Sequence, residues 1–248
     1  MGLFILAWWV FTLVTSIPPE FMPTPVDALF GIKELATERS LASHIAASLA
    51  RVFAGFGLAL SVGVPLGLFL GLHPRVGKAI DPLIQLLRPV SPIAWIPLAI
   101  LWFGIGSIPA VFIIFLTTVF PIIVSSAAAV LQTNPLLVRM ASNFETSKRD
   151  MLLKVIFPSS FPQIIVSARI SLGIAWVIIV AAEMVGMQSG LGFLVLDSRN
   201  FLRTDLVVST MVVIGAIGFV LDRSVKLVEK SVRRRWGLEE ISEGRATS

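Results

Sequence analysis

From Pro89 through Val138 the sequence contains no Asp, Glu, Lys, Arg or His, and the run is rich in Ile, Leu, Val, Phe and Ala. A second uncharged stretch extends from Val52 to Leu72. Continuous runs of this kind match the roughly 20 apolar residues that a membrane-spanning helix requires. The bias extends to the whole chain: of its 248 residues 56% are hydrophobic and 14% charged, and mean hydropathy is +0.89. An ordinary soluble domain has about 45–50% apolar and about 25% charged residues, so a soluble protein is excluded. Disorder needs low hydrophobicity and high net charge, and the 18 glycines have no period of three, which excludes collagen. Transmembrane barrels show short alternating segments instead of continuous runs. An all-α membrane protein remains, and at roughly 20 residues per span the length admits about five to seven spans.

Cysteine is absent. That removes disulfides, thiolate metal sites, iron–sulfur clusters and cysteine nucleophiles together. The two histidines, His44 and His73, lie far apart in sequence, too few for a multi-histidine metal site; both are expected at the membrane interface with no ligand role.

Six spans are expected. The first, from Gly2 to Ile17, is short, carries Trp8 and Trp9 and stops at Pro18-Pro19. It lacks the basic n-region and small-residue cleavage site of a signal peptide. The others cover about 48–72, 83–103, 109–131, 161–185 and 206–228. Residues 18–47 mix Pro, Asp, Glu and Ser, as a water-exposed loop or short surface helix would.

Six spans put both termini on one side, and the basic residues say which. Arg75 and Lys78 lie in one loop, and Arg139, Lys148, Arg149 and Lys154 in another. Arg223, Lys226, Lys230, Arg233, Arg234, Arg235 and Arg245 lie in the tail. Together they put thirteen basic residues on one side, against Lys33, Arg39, Arg199 and Arg203 on the other. By the positive-inside rule the richer side, with both termini, is cytoplasmic. The net charge of +5 and pI near 10.2 therefore reflect topology. The run Arg233-Arg234-Arg235-Trp236 reads as a cytoplasmic anchor near lipid, with nucleic acid not expected as a partner.

The connection at about 132–160 has helical patterning. Leu137, Met140, Ala141 and Phe144 share one face, and Met151, Leu152, Val155 and Ile156 share another. Ser147 and Asp150 form an S-x-x-D capping box that starts the second helix, and Pro158 is expected to end it. Two short amphipathic helices at the cytoplasmic surface suit either docking to a soluble partner or lying on the bilayer.

Residues 139–158, RMASNFETSKRDMLLKVIFP, resemble the cytoplasmic loop of ABC importer permeases, whose pattern is E-A-A, then Gly four residues on, then I-x-L-P. Ala141 matches the second Ala, Ser147 and Lys148 match the usual small and basic residues, and Ile156-Phe157-Pro158 matches the ending. Arg139 stands where Glu is common. Glu145 stands where Gly is usual, so the turn is expected to use ordinary helical dihedrals or to start later. Further matches are HIAASLAR at 44–51, Asp81-Pro82, RPVSPIAWIP at 88–97, WFGIG at 102–106, Ala182-Glu183-Met184 and GLGF at 190–193. The set looks like the branch that imports nitrate, bicarbonate, taurine and alkanesulfonates.

The resemblance implies a single MetI-like permease domain over 1–248, with a coupling loop at about 132–160 and a basic tail at about 229–248. It implies ABC ATPase subunits that use ATP and Mg, docked on Arg139, Ala141, Phe144, Glu145, Ser147, Lys148 and Pro158. An extracytoplasmic substrate-binding protein, a permease homodimer and a place in the bacterial inner membrane are also implied. The chain itself is expected to bind no cofactor and to be no enzyme. Its nearest approach to the phosphate-binding G-x-x-x-x-G-K-[ST] pattern, Gly71 to Lys78, has five residues between the glycines and Ala79 after the lysine.

Ionisable and broken segments within spans are the candidates for a path or gate. Arg169 could face an anion, pair with an acid or snorkel to headgroups. Arg88 opens RPVSPIAW, whose prolines remove backbone donors; such a segment is tolerated at membrane depth only where protein or a water-filled cavity solvates it. Ser91, Pro92 and Trp95 are thus candidate cavity residues, against the reading of a kinked packing helix. Glu183, seven residues after Trp176 on roughly the same face, is read as the only acid in a core span. It suits a gate or a structural ion pair, with Arg199 or Arg203 as partner. The stripe Ala54, Gly55, Gly57, Ala59, Gly63, Gly67 and Gly71 reads as close helix packing.

The alternative function is a secondary carrier driven by an ion gradient, which should carry intramembrane carboxylates for coupling. A membrane enzyme would need clustered acids, histidines or an activated nucleophile, and neither histidine has such neighbours. A receptor or assembly scaffold is the remaining class.

Overall fold

The computed structural model describes residues 2–15, 21–144 and 146–235, and every described element is helical. In order these are α1 (Gly2–Val14), α2 (Pro25–Glu38), α3 (Leu41–Leu72), α4 (Pro74–Leu87), a 3-10 turn (Pro92–Trp95), α5 (Ile96–Phe103), α6 (Ser107–Leu131), α7 (Pro135–Asn143), α8 (Lys148–Asp150), a π-helical turn (Met151–Ile156), α9 (Phe157–Gly186), α10 (Leu191–Asn200) and α11 (Thr204–Arg235). The expected end of the first span at Pro18-Pro19, residue Glu145 and the tail from Trp236 lie outside the described residues.

Four helical stretches among the described residues are long and apolar enough to cross a bilayer: 41–72, 107–131, 148–186 and 204–232. A fifth crossing follows if α4 and the 92–103 segment count as one span, bent by 81° at the break between them. The expected span at 83–103 is thus a broken helix whose first half begins at Pro74. Pro89 and Pro92 flank the break, and each removes an amide donor from the ladder. At 13 residues, α1 rises about 20 Å, short of the roughly 30 Å hydrocarbon core, so the expected first span is not reached by length within the described residues.

The helix α3 packs along α6 through a row of small residues at every fourth position: Gly55, Ala59, Gly63, Gly67 and Gly71, all buried. A Cβ at Gly67 would sit 2.5 Å from the Ile123 carbonyl oxygen, and one at Gly71 would sit 2.6 Å from Val130 Cβ. This i, i+4 row lets the two backbones approach, which in lipid substitutes for a hydrophobic drive between helices. Two members of the expected stripe lie off this face: Ala54 is exposed, and a Cβ on Gly57 would meet nothing within 4 Å.

The surface helix α2 is started by the Thr24–Asp27 capping box with Pro25 in its first turn. It buries Ala28, Gly31 and Leu35, and Ser209 of α11 donates to the Ala28 carbonyl at 2.8 Å. The core joins α3, α5, α6, α9, α10 and α11 around Ile113, Ile114, Ala175, Ile179, Leu191 and Leu206, and a second cluster around Val119, Ile122 and Ile123 lies under α4.

The expected stop at Pro158 is not observed. The segment that starts at Lys148 runs without interruption to Gly186. In a regular α-helix the Pro158 ring would clash with the carbonyl four residues back. The π turn widens the ladder just before it: the Phe157 amide bonds to Leu152 O, five residues back, instead of to Leu153. The second amphipathic helix is therefore the head of a span.

Candidate functional site

The start of that span helix is capped as its residues direct. The Asp150 amide donates to Ser147 Oγ at 3.2 Å, while the Asp150 carboxylate accepts from the Ser147 hydroxyl at 3.1 Å and pairs with Lys154 at 2.9 Å. Before it, Asn134 caps α7 by accepting from the Leu136 amide at 2.9 Å. On α7 the side chains of Leu136, Met140 and Phe144 follow at i, i+4 and i+8 and are uncovered, Phe144 at 82% exposure. Arg139, Ser147 and Lys148 are exposed beside them, Ala141 and Pro158 are half-buried, and Glu145 lies outside the described residues. Phe144 closes α7 at φ −90°, so no left-handed residue is needed on the described side of the turn. The result is an apolar face with a basic rim, packed against the head of a membrane helix.

The bend between α4 and α5 makes a second feature. Arg88, Pro92 and Trp95 line a cavity of about 290 Å³ together with Leu116, Phe120 and Ile174. Ser91 is exposed beside the bend and is not among the lining residues. Thr117 also faces the cavity, but its hydroxyl donates to the Ile113 carbonyl of its own helix at 2.7 Å.

Arg169 and Trp176 meet elsewhere, between α9 and α11. The Arg169 guanidinium binds Asp222 through Nε at 2.8 Å and Nη2 at 3.0 Å, and Glu229 through Nη1 at 3.3 Å. Trp176 donates its indole N–H to the Ile214 carbonyl at 3.1 Å and lies against Gly218, where a Cβ would meet the ring. Both Arg169 and Trp176 line a 220 Å³ cavity with Asp222. Of the three roles open to Arg169 from sequence, this geometry is pairing with acids. Asp222 also corrects the reading of Glu183 as the only acid in a core span, since it lies within the apolar helix 204–232.

Glu183 is fully buried at the far end of α9. Its partner is neither Arg199 nor Arg203. It is Arg51 of α3, 2.7 Å away, with side-chain exposures of 7% and 0%. Arg203 instead binds Glu34 at 2.7 Å and Asp205 at 2.8 Å. Around the pair every polar group finds use. Ser48 donates to the Glu183 carboxylate at 2.9 Å and accepts from the Leu191 amide at 2.9 Å. The Gly192 amide donates to Glu183 Oε2 at 3.0 Å. Arg51 also reaches the Ser189 carbonyl at 2.7 Å, Ser189 Oγ at 2.6 Å and Ser107 Oγ at 3.0 Å. His44 accepts from the Gly190 amide at 3.0 Å and stacks on Phe193. The carboxylate thus accepts the Gly192 amide at the start of α10, where the helix dipole favours negative charge, while the Leu191 and Gly190 amides go to Ser48 and His44. One cluster ties together the same ends of α3, α6, α9 and α10. Arg51 falls inside the expected 48–72 span, so its charge is visible in the sequence; its partner is not.

Among the described residues no group of His, Cys, Asp and Glu is arranged to hold a metal ion. The uncovered α7 face, the broken span and the buried Arg51–Glu183 pair belong to a helical protein with several apolar helices long enough to cross a membrane. The family for the inner membrane component of binding-protein-dependent transport systems matches residues 63–234, and the chain belongs to it. The taurine transport system permease protein TauC of Escherichia coli is 34% identical over 235 residues, covering 93% of this chain and 86% of TauC. The nitrate import permease protein NrtB of Synechococcus elongatus is 33% identical over 222 residues, covering 88% and 79%. The inward-facing MetNI methionine ABC transporter superposes with a TM-score of 0.71 at 16% identity, covering 79% of this chain and 98% of the matched chain. The fold is therefore the expected MetI-like one, and the chain is an inner-membrane ABC permease component, not a secondary carrier. In such systems ATP is hydrolysed on a separate ATPase subunit, and a binding protein completes the assembly.

Proposed function

We propose that this chain forms the translocation path of an ATP-driven importer for a small solute with an anionic oxygen head, namely taurine or an alkanesulfonate, nitrate, or bicarbonate. Two copies enclose the path between them and operate by alternating access. ATPase subunits, which use ATP and Mg, dock on the segment 132–160. Closure of the ATPase pair pushes on α7 and on the head of the 148–186 helix. Because that helix runs unbroken to Glu183, the push is carried rigidly across the membrane to the opposite end. A substrate-binding protein delivers the anion there.

The observation that carries this reading is the uncovered face of Leu136, Met140 and Phe144 at the head of a span helix. Such a face suits a soluble partner or the bilayer surface, and membership in a family of multi-component transport systems favours the partner. The orientation, with 132–160 and the C-terminus cytoplasmic, is supported by thirteen basic residues on that side against four on the other. Reconstitution of the chain with its ATPase and binding protein tests the function: anion uptake into proteoliposomes should require both partners and ATP. Uptake that follows an ion gradient without ATP would overturn it.

A further inference from the structure

The cavity at the α4–α5 bend lies at the surface, where Arg88 is exposed. One charged group lines it, Arg88, and no acid does. Among the described residues no acid is placed in an ion pair with Arg88, in contrast to Arg51, Arg169 and Arg203. A guanidinium cannot shed its charge and presents a planar fork suited to two oxygens of one oxyanion. The remaining wall is apolar: Pro92, Trp95, Leu116, Phe120 and Ile174. Thr117 spends its one donor on its own helix, so the wall offers little to a second polar group. A volume of about 290 Å³ lies near the lower end of the range for small-ligand pockets, about 300–1,000 Å³.

We propose that this cavity binds a monovalent oxyanion, sulfonate or carboxylate, carried on a short hydrocarbon body, with Arg88 as its charge partner and Trp95 and Phe120 enclosing the body. The proposal rests on the reading of the chain as an anion-importer permease and sharpens it. An amine on the ligand finds no acid in the wall, so a zwitterion such as taurine is disfavoured. Nitrate and bicarbonate have no hydrocarbon to fill it.

The full-length chain in phosphatidylcholine nanodiscs, titrated with butane-1-sulfonate, tests this through the fluorescence of Trp95, with Trp95→Phe identifying the signal. Saturable quenching is expected, at least tenfold tighter than with taurine or nitrate, and butanoate distinguishes a carboxylate from a sulfonate head. Arg88→Gln should weaken binding at least tenfold and Arg88→Lys less; Leu116→Trp, which fills the cavity and leaves the charge, should also abolish it. Unchanged affinity in Arg88→Gln, equal binding of taurine or nitrate, or no saturable signal would overturn the proposal. Displacement of butane-1-sulfonate by added phosphatidylglycerol would assign the cavity to a lipid headgroup and overturn it as well. ATP-dependent uptake of an anion by the wild-type assembly, measured separately, reports on the importer reading alone.

Discussion

Arg51 and Glu183, 132 positions apart in the chain, form a buried ion pair at 2.7 Å that ties α3 to α9 where α10 begins. Glu183→Ala leaves the Arg51 charge buried without its carboxylate, and breaking a buried pair from one side costs about 3–5 kcal/mol. The purified variant should melt at a clearly lower temperature in detergent. Arg51→Leu combined with Glu183→Leu should lose less than the two single changes added together. Strict additivity in this cycle would mean that the two side chains are not coupled.

The same cluster makes Gly190 intolerant of substitution. Its φ is +114° and a Cβ would collide with the Glu183 carboxylate. Backbone strain in this region costs about 1–3 kcal/mol, before the displaced carboxylate is counted. Gly190→Ala should therefore lower the melting temperature, and Gly173→Ala, where a Cβ meets nothing within 4 Å, should not. Equal stability of the two variants would refute the packing described for the start of α10.

Along α3 the contrast is between faces of one helix. Gly67→Leu drives a side chain into Ile123 and Ser126, while Gly57→Leu enters open space. Overpacking costs about 1–3 kcal/mol or more, so thermal unfolding should separate the two by several degrees. Gly57→Leu falling as far as Gly67→Leu would place Gly57 in an interface, as between two copies of the chain.

Much of this architecture was legible in the sequence. The apolar runs at 48–72, 109–131, 161–185 and 206–228 all lie within single helices, because in lipid the backbone must satisfy itself and period matters less than continuity. The proline-rich RPVSPIAW announced the break. Pro158 misled, because a proline read alone stops a helix, whereas a π turn ending two residues earlier, at Ile156, accommodates it. Asp222 falls inside the expected 206–228 span, but its neighbours Arg223 and Lys226 count with the basic tail, and this mixed boundary hides the carboxylate. The Arg51–Glu183 pairing had no local signature, because it is set by how α3 and α9 pack.

The pair Arg169–Asp222 is part exposed, with side-chain exposures of 27% and 55%. Asp222→Asn leaves Glu229 as a remaining carboxylate partner of Arg169, so the variant should melt closer to wild type than Glu183→Ala, which leaves Arg51 without a carboxylate. An altered ratio of ATP hydrolysis to uptake in that variant would show that the α9–α11 contact takes part in the transport cycle.

The claim that force enters through α7 is tested most directly at Phe144. In proteoliposomes holding the permease, its ATPase and its binding protein, Phe144→Asp should abolish ATP-dependent uptake and reduce co-purification of the ATPase, while Phe144→Leu retains both. Wild-type uptake and ATPase binding in Phe144→Asp would contradict it.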